Sequence, residues 1–569
     1  MGESQPIRFG AFELDAGAGE LRKQGLKIRL QEQPLRILQM LLANPGQVVT
    51  RDELRNALWP TNSYVDFDHG LHRAINKLRE ALGDSADSPR FIETLARRGY
   101  RFLGEATADA GQIRSLLILP LENLSPDPEE GYFAEALTEA LISTLAKIGA
   151  LRVLSRTTSA YYKRAQKTLP EMVRELGIDG VIEGSVLRSG SRVRITVQLL
   201  HARTDRHLWA ESYDRDSGDI FALQAEVTEA IVKEIRVKIT ANEQSQLART
   251  PAVNPAAYEA YLRGVCYWDK RSPEALRTAR QSFEQAIAAD PGYAAAYAGI
   301  AQCFNVLGWN GFVAPVEGCE KARTWALRAL ELDPSLGQAH AALAWVAAYF
   351  DYDFATAERE YQCCIRLDPR YSTAYGHYGI ALACVERNEE AIAKCKEGIS
   401  SDPHSVMTHA LLDFVYWLTG RFDDLLKHAK RTAELHPDAP HAHWALGIAS
   451  VEARNFDEAI AEYQHAVRCA QDAKLFVGLL AEAYALAARR SEALTLLAQL
   501  QSAEQYVNPF MIARIHLALG ERDAALCDLE VAYAERAAWM IMLRCDPHLA
   551  SLRSEPRFIS LLRRMKLPS

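Results

Sequence analysis

The chain has 569 residues, of which 24% are charged and 49% hydrophobic, and carries a formal net charge of −8. That length exceeds what one hydrophobic core supports, and the balance excludes both a disordered tail and a chain that binds polyanions along its whole length. No run approaches the roughly 18 apolar residues of a membrane helix, and the start MGESQPIRFG lacks the apolar stretch of a secretory signal, so a cytoplasmic protein with no membrane partner is expected.

In chain order, residues 7–30 read as short alternating strands. QEQPLRILQMLLANPGQVVTRDELRNALWP then reads as two helices joined at Asn44-Pro45-Gly46, with Thr50 as an N-cap and Glu53 closing a capping box. From Asp66, the apolar residues Leu71, Ile75, Leu78 and Leu82 recur on one face of a helix that Gly83 stops. The opposite face carries His69, Arg73, Asn76, Lys77 and Glu80, with His72 and Arg79 on its flanks. Two short strands follow, Phe91–Leu95 and Tyr100–Leu103, joined by the basic turn Ala96-Arg97-Arg98-Gly99. A helix that can enter a major groove plus a basic hairpin is the physical equipment for reading duplex DNA. The outer face of any amphipathic helix is charged, so the weight lies in the order of elements. The basic charge is also local: residues 1–104 hold 15 Lys/Arg against 13 Asp/Glu, while the remainder is acidic.

That order, with FGAFELD, LRILQMLLANPGQVVTRDELRNALWP, LHRAINKLREALGD and IETLARRGYRF, resembles the winged-helix output domain of OmpR/PhoB-type transcription regulators. The resemblance implies a recognition helix at 66–82 and a wing at Arg97 and Arg98. The expected DNA-contacting residues are therefore His69, His72, Arg73, Asn76, Lys77, Arg79, Arg97 and Arg98. Asn76 stands where many members place a basic residue, so their base preference is not transferable.

Residues 105–112, within the small polar run GEATADAGQ, read as a linker between the first domain, 1–104, and a second, 113–245. The second mixes strands and helices as a small α/β domain. LLILPLENLSPDPEEGYFAEALTEALI and ELGIDGVIEGSVLRSGSRVRITVQLLHARTDRHLWAESYDRD resemble the TolB N-terminal-like domain. No catalytic chemistry follows from that likeness. No nucleophile–base–orienter set, phosphate loop or zinc pair is visible in the sequence, and neither an enzyme nor a cofactor or metal is expected. Ten cysteines between Cys266 and Cys545 form no CxxC pair and read as packing residues.

From 254 to 569 the chain repeats. Pro334, Pro369, Pro403 and Pro437 close successive units of about 34 residues, the tetratricopeptide period. Ala391 and Ala459 mark helix crossings, Phe283 and Tyr463 fill the gaps beside them, and Gly379 and Gly447 lie in first helices. LGWNGFVAP is an insertion in the second repeat, and the last residues read as a capping helix. Seven or eight repeats are counted. First-helix residues Tyr297, His340, Tyr375, His409 and His443 are candidates for lining a partner-binding groove, with packing as the competing reading.

The fold expectation is multidomain: an α+β winged helix, a small α/β domain and an all-α tetratricopeptide solenoid. The functional expectation is a bacterial transcription regulator that reads double-stranded DNA and is controlled through its C-terminal modules, with no receiver domain ahead of the reader. RNA polymerase, a protein or peptide in the groove and a second copy of the chain are the expected partners. The alternative is a scaffold protein whose winged helix contacts other proteins.

Overall fold

The computed structural model describes residues 7–567 except 10, 16–18, 24–25, 44–45, 59–66, 87, 96–97, 104–105, 109–112, 127–130, 147, 166, 191, 217–219, 236–253, 269, 471–472 and 504. Contacts divide the chain into two compact units, 1–112 and 113–569.

The first unit opens with strands β1 (Ile7–Phe9), β2 (Phe12–Asp15), β3 (Glu20–Lys23) and β4 (Leu26–Ile28), followed by α1 (Glu32–Ala43), β5 (Val48–Thr50), α2 (Arg51–Leu58) and α3 (Phe67–Leu82). The hairpin β6 (Ile92–Leu95) and β7 (Gly99–Phe102) and a last strand β8 (Ala106–Ala108) complete it. One sheet runs β4-β3-β2-β1-β8 and a smaller one β5-β7-β6. The expected linker is therefore partly structured: β8 pairs antiparallel with β1, Ile7 opposite Ala108. Ladder bonds use only backbone groups, so Ala-Thr-Ala can close a sheet edge without any apolar signal. Between the sheets and the helices, Phe9, Phe12, Phe91 and Phe102 form one aromatic cluster, with ring centroids 5.4–5.7 Å apart around Phe9. Thr50 and Glu53 form the reciprocal capping box at the start of α2.

The second unit starts with an α/β part: β9 (Ser115–Ile118), β10 (Glu122–Asn123), α4 (Gly131–Leu145), β11 (Arg152–Val153), α5 (Arg156–Arg164), α6 (Leu169–Leu176), β12 (Gly180–Ser189), β13 (Arg192–His201), β14 (Arg206–Asp216) and α7 (Ile220–Ile235). Its sheet is parallel across β11-β9-β12 and antiparallel across β12-β13-β14. Leu137, Leu141, Val227 and Ile231 of α4 and α7 belong to one core of this part, and Tyr162 and Met172 of α5 and α6 to a second.

Eight helix pairs follow among the described residues: α8 (Pro255–Trp268) with α9 (Pro273–Ala289), α10 (Ala294–Trp309) with α11 (Pro315–Leu332), α12 (Gly337–Val346) with α13 (Phe354–Leu367), and α14 (Ser372–Cys384) with α15 (Asn388–Ser401). Then come α16 (Val406–Leu418) with α17 (Phe422–Leu435), α18 (Pro440–Glu452) with α19 (Phe456–Cys469), α20 (Lys474–Leu486) with α21 (Arg490–Gln501), and α22 (Pro509–Ala518) with α23 (Arg522–Ala534). A last helix, α24 (Pro556–Arg564), packs on α23. Ala391 and Ala459 are fully buried at helix crossings, and a Cβ at Gly447 would strike the Tyr463 ring. The insertion LGWNGFVAP lengthens α10 and its turn. The solenoid curves so far that Trp309 and Gly311 of the second pair line one pocket with Tyr506, Asn508 and Met511 of the eighth.

The α/β part and the solenoid are joined where α4 packs on α8, with Tyr258 against the α/β core, and by polar contacts. Asp402, 7% exposed in the turn before α16, accepts hydrogen bonds from Ser155 Oγ (2.6 Å) and Thr157 Oγ1 at the N-terminus of α5. Tyr161 stacks on His404 with centroids 4.3 Å apart. Arg188 pairs with Glu259 at 2.7 Å, and Tyr258 donates to Gln224 at 2.8 Å. Asp402→Ala strands two hydroxyls at this junction. It should cost about 1–3 kcal/mol in urea denaturation of the full chain; an unchanged midpoint would show that the junction does not depend on this carboxylate.

Candidate nucleic-acid interface

Helix α3 buries Leu71, Ala74, Ile75, Leu78 and Leu82 against the core of its unit, where Ile37, Leu38 and Leu41 of α1 lie. This orientation exposes His72, Arg73, Asn76, Lys77 and Glu80. Lys77 Nζ donates to Gln31 Oε1 at 2.7 Å, which holds one cation of the row near the start of α1. His69 falls within α3, but its side chain lies outside the described residues, as does Arg97.

Arg79 departs from expectation. It is 5% exposed, and its guanidinium donates to Ile92 O and Thr94 Oγ1, both at 2.8 Å. Arg79 follows Ile75 by one helical turn and so falls on the edge of the apolar stripe. It ties α3 to the hairpin and is not presented to solvent for DNA. Asp84 acts with it, since its carboxylate accepts from the backbone N–H of Arg90 (2.7 Å), Phe91 (3.3 Å) and Ile92 (2.8 Å). Gly99 allows β7 to approach β5, because a Cβ there would collide with Val49 O. Arg98 is exposed at the hairpin tip, and Arg101 donates across the hairpin to Glu93 at 2.7 Å. The geometry is thus an exposed polar row on α3 and a basic hairpin, locked together by Arg79 and Asp84.

The five expected groove residues are engaged within the repeats themselves. Each bonds to the carbonyl of the proline six residues before it: Tyr297 to Pro291 (3.1 Å), His340 to Pro334 (3.2 Å), Tyr375 to Pro369 (3.0 Å), His409 to Pro403 (2.8 Å) and His443 to Pro437 (2.6 Å). The histidines also reach the second helix of their own pair, His340 to Glu360 (2.7 Å), His409 to His428 (3.2 Å) and His443 to Glu462 (2.6 Å). These side chains staple the turns between repeats and satisfy a carbonyl that the turn leaves free.

The solenoid interior is filled from within the chain. Trp345 stacks on Tyr349 there, Trp309 meets both edge-on, and Trp539 lies 6.1 Å from Trp309. Residues 537–543 are almost fully buried. Arg536 donates to Phe350 O at 3.0 Å, and Arg544 pairs with Glu386 at 3.4 Å. Burial, the largest effect, and the nearby Arg514 oppose the charge on His548, but Glu482 (2.7 Å) and Glu452 (3.0 Å) together outweigh them and hold its pKa up at about 9. Arg514 pairs with Glu482 (2.6 Å) and Asp546 (3.4 Å) and completes the buried cluster.

Comparison with known proteins places this geometry. Residues 25–102 match the family described as "Transcriptional regulatory protein, C terminal". Over 306 residues the chain is 35% identical to "Putative adenylate cyclase 3" of Rhizobium meliloti, covering 53% of this chain and about half, 51%, of that protein. It is 22% identical over 418 residues to "Transcriptional regulator HilA" of Salmonella typhimurium, covering 72% of this chain and 73% of that one. Over 76 residues it is 40% identical to the "Cholera toxin homolog transcriptional activator" of Vibrio parahaemolyticus, covering 13% of this chain and 26% of that one. The chain therefore contains an OmpR/PhoB-type domain. Among its described residues no helix is long and apolar enough to cross a membrane.

The roles of Arg73 and Arg79 separate experimentally. Arg73→Ala should weaken duplex binding by about 1–3 kcal/mol with an unchanged melting temperature. Arg79→Ala should lower the stability of the first unit by about 1.5–3 kcal/mol, because charge-assisted bonds to the hairpin are lost. The reverse pattern would exchange the two assignments.

A pH effect follows from the solenoid histidines. Burial lowers the pKa of His377 to about 3 and those of His409, His436 and His441 to about 4. Groups held below their unfolded value contribute stability that is present above it, near pH 6.5, and is lost as pH falls toward 4. The melting temperature should therefore decline across that window, and less steeply in His409→Gln, where the amide can still donate to Pro403 O without titrating. Identical slopes would remove His409 from this account.

Proposed function

We propose that the chain is a sequence-specific DNA-binding transcription regulator in which α3 reads the major groove and the unit 113–569 sets when it does so. The observation that carries the reading is the exposed row Arg73, Asn76 and Lys77, opposite a buried face, inside the stretch matched by a transcriptional regulatory family. Arg73 and Asn76 are suited to base edges, and Lys77 and His72 to bases or phosphates. Arg98 of the hairpin, with Arg97 and His69 from the sequence reading, is assigned to phosphates or the minor groove.

The 113–245 stretch keeps its TolB-like reading as a proposal from the residues quoted above. The likeness to a protein named as an adenylate cyclase covers half of that protein, and the proposed function includes no catalysis. A winged helix of this size offers few contacts and gains from a second copy on adjacent DNA. Self-association of the 113–569 unit, or a partner that bridges two copies, would raise occupancy through effective concentration. Contact with RNA polymerase belongs to the same proposal.

Selection of bound duplexes from random DNA by the full chain tests the reading. A defined motif should emerge, and affinity for it should fall steeply with salt. Neutralising Arg97 and Arg98 together should reduce the slope of log K against log salt by roughly two and weaken all sequences alike. No enriched motif and no salt dependence would favour the scaffold alternative, in which the winged helix contacts protein.

A further inference from the structure

Cys384 is the last residue of α14, and Cys545 lies in the segment 536–548 that returns across the solenoid interior. Their thiols are in contact: Cys545 Sγ donates to Cys384 Sγ at 3.7 Å, although the two residues stand 161 positions apart. Among the described residues no other cysteine bonds to a second thiol. The contact is held on either side of Cys545. Arg544 pairs at 3.4 Å with Glu386, two positions beyond Cys384. Asp546 is fully buried and pairs with Arg514, also at 3.4 Å. The backbone N–H of Cys545 donates to Met542 O at 3.0 Å.

The two thiols differ in what can reach them. Cys384 is fully buried, and burial, with the hydrogen bond from Cys545 adding to it, holds its thiol well above the ordinary range. It stays protonated and sheltered from reagents in solution. Cys545 is partly exposed. An accessible thiol beside a sheltered one is the arrangement of a sensing and a resolving cysteine. Packing accounts for the buried Cys303, Cys364 and Cys395, which meet no second thiol.

We propose that Cys384 and Cys545 are a reversible redox pair, which a peroxide joins in a disulfide that locks the segment 536–548 onto α14. Hydrogen peroxide oxidises the Cys545 thiol to a sulfenic acid and releases one water. The Cys384 sulfur then attacks the Cys545 sulfur. The S–S bond forms, the S–OH bond breaks, and the hydroxyl leaves with the Cys384 proton as a second water. Two thiols thus pass two electrons to one peroxide, and a dithiol reductant returns them by exchange. The sulfurs close from 3.7 Å to about 2.05 Å, a change that rotation of two side chains can share. The cross-link ties the fourth helix pair to the end of the solenoid across 161 positions, which restricts the unfolded chain. With 113–569 as the control module, an oxidant becomes an input to that module; this link to control rests on the proposed function, and the cross-link itself does not.

The test uses the full chain without DNA, reduced with dithiothreitol, desalted and treated with graded hydrogen peroxide. Remaining thiols are alkylated, and tryptic peptides are read by mass without reduction. Cys384 falls in the peptide 371–387 and Cys545 in 545–553, each with no other cysteine. A linked 371–387/545–553 species should rise with peroxide and vanish with dithiothreitol. In Cys384→Ser, Cys545 should instead be trapped by dimedone as its sulfenic acid. The cross-linked chain should unfold at higher urea than the reduced chain, and Cys545→Ser should lose both the link and the shift. Absence of the linked peptide while Cys545 stays alkylatable or is oxidised further overturns the pair, as does a disulfide from Cys545 to any other cysteine. A linked chain with an unchanged urea midpoint overturns the lock. The wild-type peptide masses decide even if a serine variant folds poorly. Because no DNA is present, the outcome is independent of whether α3 reads a duplex.

Discussion

A solenoid that curves until its second helix pair meets its eighth encloses an interior, and the C-terminal body depends on how that interior is filled. Apolar surface there must be covered and charge must be paired, because water is largely excluded. The chain meets both needs itself. Trp309, Trp345, Tyr349 and Trp539 cover one part, and Arg514, Glu482, His548 and Asp546 neutralise one another in another. The same segment, 536–548, supplies members of both sets, so the end of the chain works as a strap across the inside of the superhelix.

The two ends of the α/β part see different problems. Toward its own sheet it is an ordinary packing of helices on both faces. Toward the solenoid it uses a carboxylate from an inter-repeat turn, Asp402, at the start of α5, where backbone N–H groups and the Ser155 and Thr157 hydroxyls need acceptors. The aspartates that precede the turn prolines recur through the repeats, and at one of them the chain has turned a turn residue into a junction.

Much of this was legible in the sequence. The stripe Leu71, Ile75, Leu78, Leu82 placed α3 and its exposed face, and the 34-residue spacing of the prolines placed the repeats. Thr50 and Glu53 announced a helix start that forms as expected. What misled was chemistry read without direction. Arg79 looked like one more cation, yet its place four residues after Ile75 and three before Leu82 put it on the buried edge. Tyr297, His340, Tyr375, His409 and His443 looked like a ligand-facing set. Their fixed offset of six residues from a turn proline was the signal of a structural staple, since a residue doing the same job in every repeat serves the repeat. Two features carried no readable signal. The pairing of β8 with β1 uses backbone alone, and the strap depends on contacts between residues up to two hundred positions apart, such as Arg536 with Phe350.

On the proposed function, DNA meets α3 and the hairpin and not residues 113–569. Photocrosslinking of the full chain to its selected duplex, with 5-iodouracil at successive motif positions and peptides located by mass, tests it most directly. The account predicts crosslinks within residues 67–82 at central positions and within 92–102 at flanking ones. Crosslinks confined to residues 113–569, with none in the first unit, would contradict it.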